Sequence, residues 1–451
     1  MQVFPTDGYD RLTYAGYRTD VWLDPSFGAA QLPDRVAHAY RDGQPAGEVC
    51  LVIGGGDLSS VQPLDVLHQL FAENRVVVLK CSPVQEHVGP ILEDVFRPLV
   101  NAGALRVVYG GAEVGQRLAH HPLVDRLHMT GSDKTYDALV WGSGDESERR
   151  KAENRPVLDK PFTAELGAVT PLIVVPGPWS SGDLAFHGEN AISMTVFNAG
   201  HICVSTRLLV THRQWAQRPA FLESVRTALR AAPAFPAYYP GAADRHAGYL
   251  ERYPHAERFG EPQGRCLPYL FVPDLTRDAD ESALVCDPFC GVLAEVPLDA
   301  EDPARFLDRA VELCNDRVWG SLGITLLVHP RTLHDRATAV AFERALADLQ
   351  YGNINVNAAS GIGYAIVSPP WGAYPGNSPR DIGSGTGFVH NTYLLDDAQK
   401  AVTRAPWRPR PKPPWFPTHR QPQEVTRRLA HLEAAPSPLK VPGLFRAALG
   451  G

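Results

Sequence analysis

The sequence has no stretch of eighteen or more uncharged apolar residues, the length that a membrane-spanning helix requires. Its start, from Met1 to Asp7, has neither the basic nor the apolar segment of a secretory signal peptide. It also lacks an excess of basic residues: 43 Lys and Arg stand against 50 Asp and Glu, a net charge of −7. Because nucleic-acid binding normally needs a basic surface, we predict a cytoplasmic protein with neither a membrane nor a nucleic-acid partner.

Cysteine is also scarce, with seven residues spread along the chain. Their number is odd, and the pair Cys286 and Cys290 is accompanied by no second Cys or His pair. This excludes the usual pattern of a zinc site or a disulfide framework. We predict reduced thiols, one of which takes part in chemistry, and no metal.

The chain does contain enough apolar residues, 44% of the total, to form a large core, and 451 residues favour two domains. Short apolar runs separated by helical segments predict buried parallel strands near residues 49–53, 75–79, 105–109 and 124–129. The same pattern returns at 171–175, 207–210, 291–296 and 323–328. Strands that alternate with helices predict an α/β fold of two open parallel-sheet domains covered by helices.

We therefore divide the chain into four parts. Residues 1–45 form an irregular segment that packs on the cofactor domain, 46–164 a dinucleotide-binding domain, 165–385 a catalytic domain, and 386–451 a return segment with a proline-rich arm. Residues 178–189 and 233–262 are rich in Pro, Gly and His and are predicted surface insertions. The arm after residue 404 ends in a predicted helix at 423–435, and either a docking role between subunits or a partly ordered tail fits it.

The residues that follow the first four strands are typical of a nucleotide site. Ligands of parallel sheets bind beyond the carboxyl ends of the strands, where glycine allows close approach and cations or hydroxyls meet phosphate and ribose. The four segments are Gly54-Gly55-Gly56-Asp57, Lys80-Cys81-Ser82-Pro83, Gly110-Gly111 and Thr130-Gly131-Ser132.

Several motifs, in order and approximate spacing, resemble the aldehyde dehydrogenase superfamily from about residue 46 to about residue 395. They are Val78 to Pro83, His121 to Asp125 with Met129 to Ser132, Ala164 to Ala168, Phe197 to Cys203, Asp287-Pro288-Phe289, and Asn357 with Pro370 to Ala373. The resemblance implies a cofactor domain plus a catalytic domain, NAD or NADP as cofactor, a small-molecule aldehyde as substrate, and a homo-oligomer.

The chemistry agrees with this resemblance, because aldehyde oxidation without a metal needs a soft nucleophile, a hydride acceptor and a base that activates water. Cys203 supplies the nucleophile, and its glycine-containing approach is expected to present the sulfur at a helix end, where the thiol pKa falls. Glu165 resembles the family's general base, and its small, apolar neighbours predict a raised pKa.

The resemblance also implies roles for further residues. Lys80 contacts the adenosine ribose, Ser132 the pyrophosphate, and Asp287 the nicotinamide ribose with Phe289 beside it. Cofactor binding also involves Ser82, Gly110 and Gly131, and the substrate positions are Asn198 and Trp371. Trp371 favours an apolar or aromatic aldehyde; a packed core tryptophan fits that position equally well.

The sequence departs from the family pattern at Asp57, which stands where an asparagine normally donates to the oxyanion. Loss of such a donor costs about 2.7–4 kcal/mol, so weak activity is expected unless burial keeps Asp57 protonated. Gly56 stands where the family has a tryptophan, and Tyr136 where it has a glycine. No acidic residue stands at Pro83 to repel the 2′-phosphate of NADP, so NADP is not excluded. The family's N-terminal helical layer is missing; either the natural start lies upstream or another element covers that face.

Three functions remain. The leading one is an NAD(P)-dependent aldehyde dehydrogenase that releases a carboxylate through a thiohemiacetal and thioester on Cys203. The second is a catalytically weakened binding or assembly subunit, which Asp57 favours. The third is a CoA-acylating or acyl-CoA reductase-type enzyme, favoured by the loop 54–60 and disfavoured by Glu165, because acyl-transferring relatives often lack that base.

Overall fold

The computed structural model describes residues 1–26, 28–41, 47–276 and 281–451, with the side chains of 29 and 281 excepted. Within these residues the eighteen strands, in chain order, are β1 Gln2–Phe4, β2 Arg18–Leu23, β3 Val49–Ile53, β4 Val76–Lys80, β5 Leu105–Val108, β6 Arg126–Gly131, β7 Phe162–Leu166, β8 Thr170–Val174, β9 Thr206–His212, β10 Glu257–Phe259, β11 Tyr269–Val272, β12 Val292–Leu298, β13 Gly323–Leu327, β14 Asn353–Val356, β15 Pro370–Gly372, β16 Gly385–Thr386, β17 Phe388–His390 and β18 Ala398–Arg404.

The α-helices of the same residues are α1 Gly8–Thr13, α2 His38–Arg41, α3 Val61–Leu67, α4 Gly89–Val95, α5 Arg97–Asn101, α6 Ala112–Ala119, α7 Asp133–Trp141, α8 Asp145–Ala152, α9 Ser181–Val196, α10 Arg218–Ala231, α11 Ala242–Arg252, α12 Glu281–Val285, α13 Pro303–Asp316, α14 Arg336–Asp348, α15 Ile362–Ile366, α16 Pro422–Ala434 and α17 Val441–Ala448. Short 3₁₀ turns lie at Ala29–Asp34, Pro83–Val88, Phe197–Gly200, Pro330–His334 and Pro438–Lys440, and a π turn at His68–Ala72.

The smaller sheet has the strand order β16-β7-β6-β3-β4-β5. The five strands from β3 to β7 are parallel, and β16 returns antiparallel to β7, with Gly385 opposite Glu165. Helices cover both faces, so the apolar run of β3 is buried. The predicted strands of this region are confirmed.

The larger sheet has the order β1-β2-β18-β14-β13-β8-β9-β12-β11-β10. Its seven central strands, from β18 to β11, are parallel and include the four that the second apolar pattern predicted. Helix α13 shows why the covering helices form: Asp302 caps its N-terminus, Pro303 follows, and one face buries Phe306, Leu307, Ala310, Leu313 and Cys314. The prediction of an α/β fold with two parallel sheets is confirmed.

The N-terminal segment differs from its prediction, because β1 and β2 extend the larger sheet through the antiparallel pair β2 and β18. Only its end reaches the smaller domain, where the Tyr40 hydroxyl donates to the carbonyl of Phe71. The physical reason is the free edge of β18, whose backbone groups need partners. Strand β2 is short, so its pattern of alternating residues did not allow the sequence to place it at the edge of the larger sheet.

The two predicted surface insertions have different outcomes. The prediction for 178–189 is wrong, because residues 181–196 form helix α9, which buries many of its residues, His187 among them. Residues 233–262 lie mostly at the surface, as predicted, although they contain α11 and β10 and bring Tyr238 to the loop of Asp57.

The proline-rich arm, residues 405–419, lies along α9 of its own chain. Trp407 stacks on His187 with ring centres 3.7 Å apart, and its indole N–H donates to Asp183 at 2.9 Å. Lys412 forms an ion pair with Glu189 at 2.9 Å. The predicted helix after the arm is confirmed as α16, which pairs with α17.

No helix in the described part of the chain combines the length and apolarity needed to cross a bilayer.

Lys400 of strand β18 provides a test of the contact between the larger sheet and helix α14. Its buried ammonium donates to the carbonyls of Leu346, Ala347 and Leu349, the unpaired carbonyls at the end of that helix. Lys400→Met leaves these acceptors buried without a donor, so we expect a loss of about 1–3 kcal/mol of unfolding free energy, measured by urea denaturation. Arg305→Met, at an exposed position, serves as control; equal stability of both variants would contradict the assignment.

Candidate active site

The site lies where the loop after β3, strand β7 and the loop after α9 meet. Asp57, Glu165 and Cys203, which the sequence separates by up to 146 positions, come together there. Thr130 lies opposite Glu165 in the parallel pair of β6 and β7. The loop after β3 and the end of β7, which belong to the smaller sheet, therefore meet the loop that carries Cys203.

Helix α9 ends at Val196 and leads into a tight loop that carries Cys203. Asn198, Ala199 and Gly200 all have positive φ, at 51°, 55° and 78°. At Gly200 a Cβ would stand 2.5 Å from the carbonyl carbon of Cys290, so only glycine fits.

Arg207 holds this loop to the turn before β12. Its guanidinium donates to the carbonyls of Gly200 and Cys290 and forms a 2.8 Å ion pair with Asp287. The planar guanidinium with its several donors suits such a junction, where three buried acceptors converge. Sequence reasoning gave Arg207 no role because it opens a predicted core strand.

Glu165 is 4% exposed, and its carboxylate hydrogen-bonds the Cys203 thiol. The indole N–H of Trp371 donates to Glu165 Oε1 at 3.1 Å. Burial raises the pKa of Glu165 to about 8, opposed by the bonds from Cys203 and Trp371. A carboxyl with this pKa is suited to take a proton from a thiol or a water near neutral pH.

Asp57 is 7% exposed and faces the backbone N–H groups of Leu58 and Cys203. Burial raises its pKa to about 6, against the stabilising effect of these N–H groups. Its neighbour Asp65 adds negative charge and raises the pKa further. The pKa of Asp57 is therefore raised in the direction that favours the protonated carboxyl, but only moderately.

The thiol of Cys203 does not have the lowered pKa that we predicted. Burial, followed by the charges of Glu165 and Asp57, raises the pKa of Cys203 well above the ordinary value of cysteine. The prediction failed because it rested on a helix end, whereas Cys203 follows the C-terminal end of α9 and is buried beside two carboxyl groups. All seven cysteines are free.

Of the two predicted substrate residues, Asn198 joins two loops, and Trp371 takes the packed core position that was the alternative predicted for it. The Asn198 amide donates to the carbonyls of Asp57 and His201 at 2.8 and 2.9 Å and contacts the Tyr238 hydroxyl, so it joins two loops. Trp371, only 1% exposed, lies behind Glu165 and does not line an open channel.

The cofactor residues at the end of β4 fit an adenosine ribose. Lys80 is 4% exposed, its ammonium makes no hydrogen bond within the described residues, and burial lowers its pKa. Glu86, which sequence reasoning missed, comes near Lys80 because Pro83–Val88 is a 3₁₀ turn, and accepts from Gly110 N–H at 2.8 Å. A buried cation beside a carboxylate can hold two ribose hydroxyls.

Ser132 and Ser82, two further residues predicted to bind the cofactor, already contact other parts of the chain. Ser132 caps α7 by accepting from Thr135 N–H, which orients the N-terminus of that helix next to Gly131. Ser82 is buried, and its hydroxyl stands 2.6 Å from where a Cβ of Gly56 would lie.

At the other end of the predicted cofactor site, Asp287 Oδ1 accepts from Arg207 and from Phe289 N–H, while Oδ2 makes no hydrogen bond in the described part of the chain. This free oxygen is available to a ribose hydroxyl.

Two tyrosines missed by sequence reasoning complete the site. Tyr238 donates to the Asp57 carbonyl at 2.8 Å, and the Tyr239 ring lies edge-on to Phe289 at 4.8 Å. The Tyr239 hydroxyl stands 3.3 Å from the place of a Gly56 Cβ, so it occupies space that a larger residue at 56 would need. The sequence feature that could have identified these two residues is the occurrence of adjacent tyrosines within a Pro-rich segment.

Comparison with known proteins shows a similarity to the aldehyde dehydrogenase family over part of the chain. The aldehyde dehydrogenase family model matches residues 30–237. A coniferyl aldehyde dehydrogenase of a Pseudomonas species is 28% identical over 184 residues, 41% of this chain and 34% of the relative. A 4-trimethylaminobutyraldehyde dehydrogenase A of Danio rerio is 28% identical over 230 residues, 51% of this chain and 41% of the relative. The matched segments thus span well under half of these relatives.

Among solved structures, a Mycobacterium tuberculosis aldehyde dehydrogenase complexed with NAD+ aligns with a TM-score of 0.58 at 22% identity, covering 80% of this chain and 69% of that chain. At this identity the likeness shows the fold. The family match over residues 30–237 covers less than half of the chain, and it shows that this part is similar to the aldehyde dehydrogenase family.

The contact between Glu165 and Cys203 predicts a change in thiol reactivity. At pH 9 most Glu165 is ionised, and Glu165→Gln removes that charge while keeping a hydrogen-bond acceptor. The thiolate fraction then rises, and we expect about 10-fold faster alkylation of Cys203 by iodoacetamide, since one pKa unit is tenfold. Mass spectrometry of the labelled peptides measures the rate; exposed Cys286 is the internal control, and an unchanged Cys203 rate would contradict the coupling.

Proposed function

We propose that this protein oxidises an aldehyde to a carboxylate with NAD, using Cys203 as nucleophile and Glu165 as base. The observation that carries the proposal is the buried hydrogen bond between the Glu165 carboxylate, with a pKa near 8, and the Cys203 thiol. A thiol with a raised pKa needs a base in contact, and this carboxylate is in contact.

In the first step Glu165 takes the thiol proton, and the Cys203 sulfur adds to the carbonyl carbon of the aldehyde. The carbonyl oxygen becomes an oxyanion that needs a donor. Asp57 supplies one only in its protonated form, together with the Cys203 N–H that faces it. Ionised Asp57 repels the oxyanion.

NAD, when bound, would supply the hydride acceptor that oxidation of the thiohemiacetal on Cys203 to a thioester requires. Lys80 and Glu86 would hold its adenosine ribose, and Asp287 Oδ2 a hydroxyl of its nicotinamide ribose. Glu86 replaces the acid absent at Pro83, and its charge beside Lys80 repels a 2′-phosphate, so we propose NAD over NADP.

For hydrolysis Glu165 first loses its proton to solvent and then takes one from water. The resulting hydroxide adds to the thioester, the carbon–sulfur bond breaks, and the carboxylate leaves. Trp371 holds Glu165 Oε1, so the other oxygen is directed at the reacting water. The sum is aldehyde, water and NAD+ giving carboxylate, NADH and two protons.

The two carboxyl pKa values limit the rate. Turnover needs Glu165 ionised and Asp57 protonated, whereas their pKa values are about 8 and about 6. The raised pKa of Glu165 disfavours its ionised form at pH 7, and the pKa of Asp57, although raised, still lies below pH 7. These directions favour the second candidate function, a weakened aldehyde dehydrogenase that acts as a binding or assembly subunit.

Replacing Asp57 tests the limitation. Asp57→Asn donates at every pH, so only Glu165 titrates. We expect the bell-shaped wild-type kcat/KM profile, centred near pH 7, to become a rise that levels off above pH 8, with a gain of about 10-fold at pH 7. The measurement is NADH formation from a panel of aliphatic and aromatic aldehydes.

Two controls accompany this experiment. Cys203→Ala should abolish turnover in both backgrounds. Asp57→Ala removes the charge without adding a donor, and we expect it to fall about 10²–10³-fold below Asp57→Asn. Equal rates for Asp57→Asn and Asp57→Ala would refute the oxyanion role; a wild type and Asp57→Asn that both bind NAD without turnover would favour the binding subunit.

Cofactor preference is testable without turnover. We expect Lys80→Met to weaken NADH binding about 10-fold, because a charge-assisted hydrogen bond is lost, and Glu86→Gln to improve NADPH relative to NADH. Titration calorimetry measures both constants. Lys160→Met, a lysine at the amino end of β7, should change neither; stronger NADPH than NADH binding in the wild type would reverse the NAD proposal.

A further inference from the structure

Helix α3 and the turn that follows it bury a row of polar side chains against the smaller sheet. Gln62, Asp65 and Gln69, which are three and four residues apart, are each at most 2% exposed. The buried face of a helix is normally apolar, because a buried polar group costs free energy unless it is paired. Asp65 is the carboxylate among the three and therefore the most costly of them to bury.

Two residues of strand β6 face the Asp65 carboxylate. The Thr130 hydroxyl donates to Oδ2 at 2.8 Å. His128 Nε2 lies 3.6 Å from Oδ1, within ion-pair distance but beyond a hydrogen bond, and has no hydrogen-bond partner among the described residues. The negative charge of Asp65 is therefore met by a neutral hydroxyl, and by a cation only when His128 is protonated.

The same contacts lead to the strand that carries Glu165. In the parallel pair of β6 and β7, His128 lies opposite Thr163 and Thr130 lies opposite Glu165. His128 Nδ1 and Thr163 Oγ1 are 2.9 Å apart. Alternate residues of a strand point to the same face of the sheet. Asp65 therefore packs on the face of the sheet from which Glu165 projects.

Several elements contribute titratable groups around Asp65. They are Asp57, His68, His128, Glu165, Tyr364 and His390. Burial raises the pKa of Tyr364 above its ordinary value and lowers the pKa of His390 to about 4, so both are uncharged near neutral pH. His68 faces Glu73, with Nε2 and Oε1 3.6 Å apart. The charge of Asp65 thus acts mainly on the two carboxyl groups of the site.

The charge of Asp65 has the same effect on both of these carboxyl groups. A nearby negative charge disfavours further ionisation, so Asp65 contributes to the raised pKa of Glu165 and of Asp57. In the proposed reaction a higher pKa makes ionised Glu165 a stronger base, and it favours the protonated form of Asp57 that donates to the oxyanion.

We propose that Asp65 is the positioning residue of Glu165: held by Thr130 beside His128, it keeps a negative charge on the face of the sheet that carries the base and sets the pH range in which the site works. The inference rests on the proposed aldehyde oxidation for its effect on turnover. A residue that only filled this space would not need a carboxylate, since a neutral side chain of the same shape also accepts from Thr130.

Infrared titration tests the charge effect without turnover. The band of the protonated Glu165 carboxyl is assigned by its absence in Glu165→Gln, and in the wild type we expect it to disappear with a midpoint near pH 8. An ordinary histidine is neutral at that pH, so His128 does not offset Asp65 there. Asp65→Asn, which has the same shape without the charge, should move the midpoint about one pH unit toward acid.

Three further variants accompany this titration. Asp65→Ser, a second neutral variant, should give the same shift, and Asp65→Glu, which keeps the charge, should leave the midpoint near that of the wild type. Asp137→Asn is the matched control, because it removes a carboxylate of the same domain that pairs with Lys151 at 2.6 Å. An unmoved midpoint in the neutral variants, or an equal shift in Asp65→Glu, overturns the proposal.

Turnover separates this inference from the proposed function. In the Asp57→Asn background only Glu165 titrates, so Asp65→Asn should move the rise of kcat/KM with pH by the same unit. A lower rate at every pH, without a moved rise, means a structural role and overturns the inference. A moved infrared midpoint in a protein that forms no NADH supports the inference and contradicts aldehyde oxidation; NADH formation with an unmoved midpoint does the reverse.

Discussion

The burial of two carboxyl groups on either side of one thiol is the constraint on which the site depends. Withdrawn from water, Asp57 and Glu165 hold their protons more strongly, and each makes it harder for Cys203 to ionise. The same burial raises the pKa of Glu165 to about 8, where the carboxyl can exchange a proton near neutral pH. In the proposed mechanism, burial thus favours the base and at the same time opposes ionisation of the thiol.

Such an arrangement persists only if the surrounding backbone is held firmly. Arg207 fastens the catalytic loop to the turn before β12 through buried acceptors, and Asn198 fastens it to the loop of Asp57. The arm then covers α9 along its length, from Trp407 to Trp415. Three left-handed residues in succession, Asn198 to Gly200, are the strain that these contacts maintain.

The sequence predicted the strands well, because buried parallel strands are continuous apolar runs. It failed where contacts join residues that are remote in the chain. Residues 178–189 were predicted to be an exposed insertion, yet His187 is buried under Trp407, more than two hundred residues later. Glu86 was passed over because only the turn at Pro83–Val88 brings it to Lys80.

The sequence by itself determined the α/β class, the positions of the predicted strands along the chain, and the presence of Cys203, Glu165 and Asp57 in motifs that resemble one family. Local patterns suffice for these, since apolar periodicity and short motifs are properties of neighbouring residues. Only the tertiary structure decided the direction of the thiol pKa, the position of Trp371 behind Glu165, and the arrival of Trp415 at the catalytic loops. Each depends on burial and charge contributed by residues distant in the chain, and desolvation is a property of the packed molecule, not of any segment.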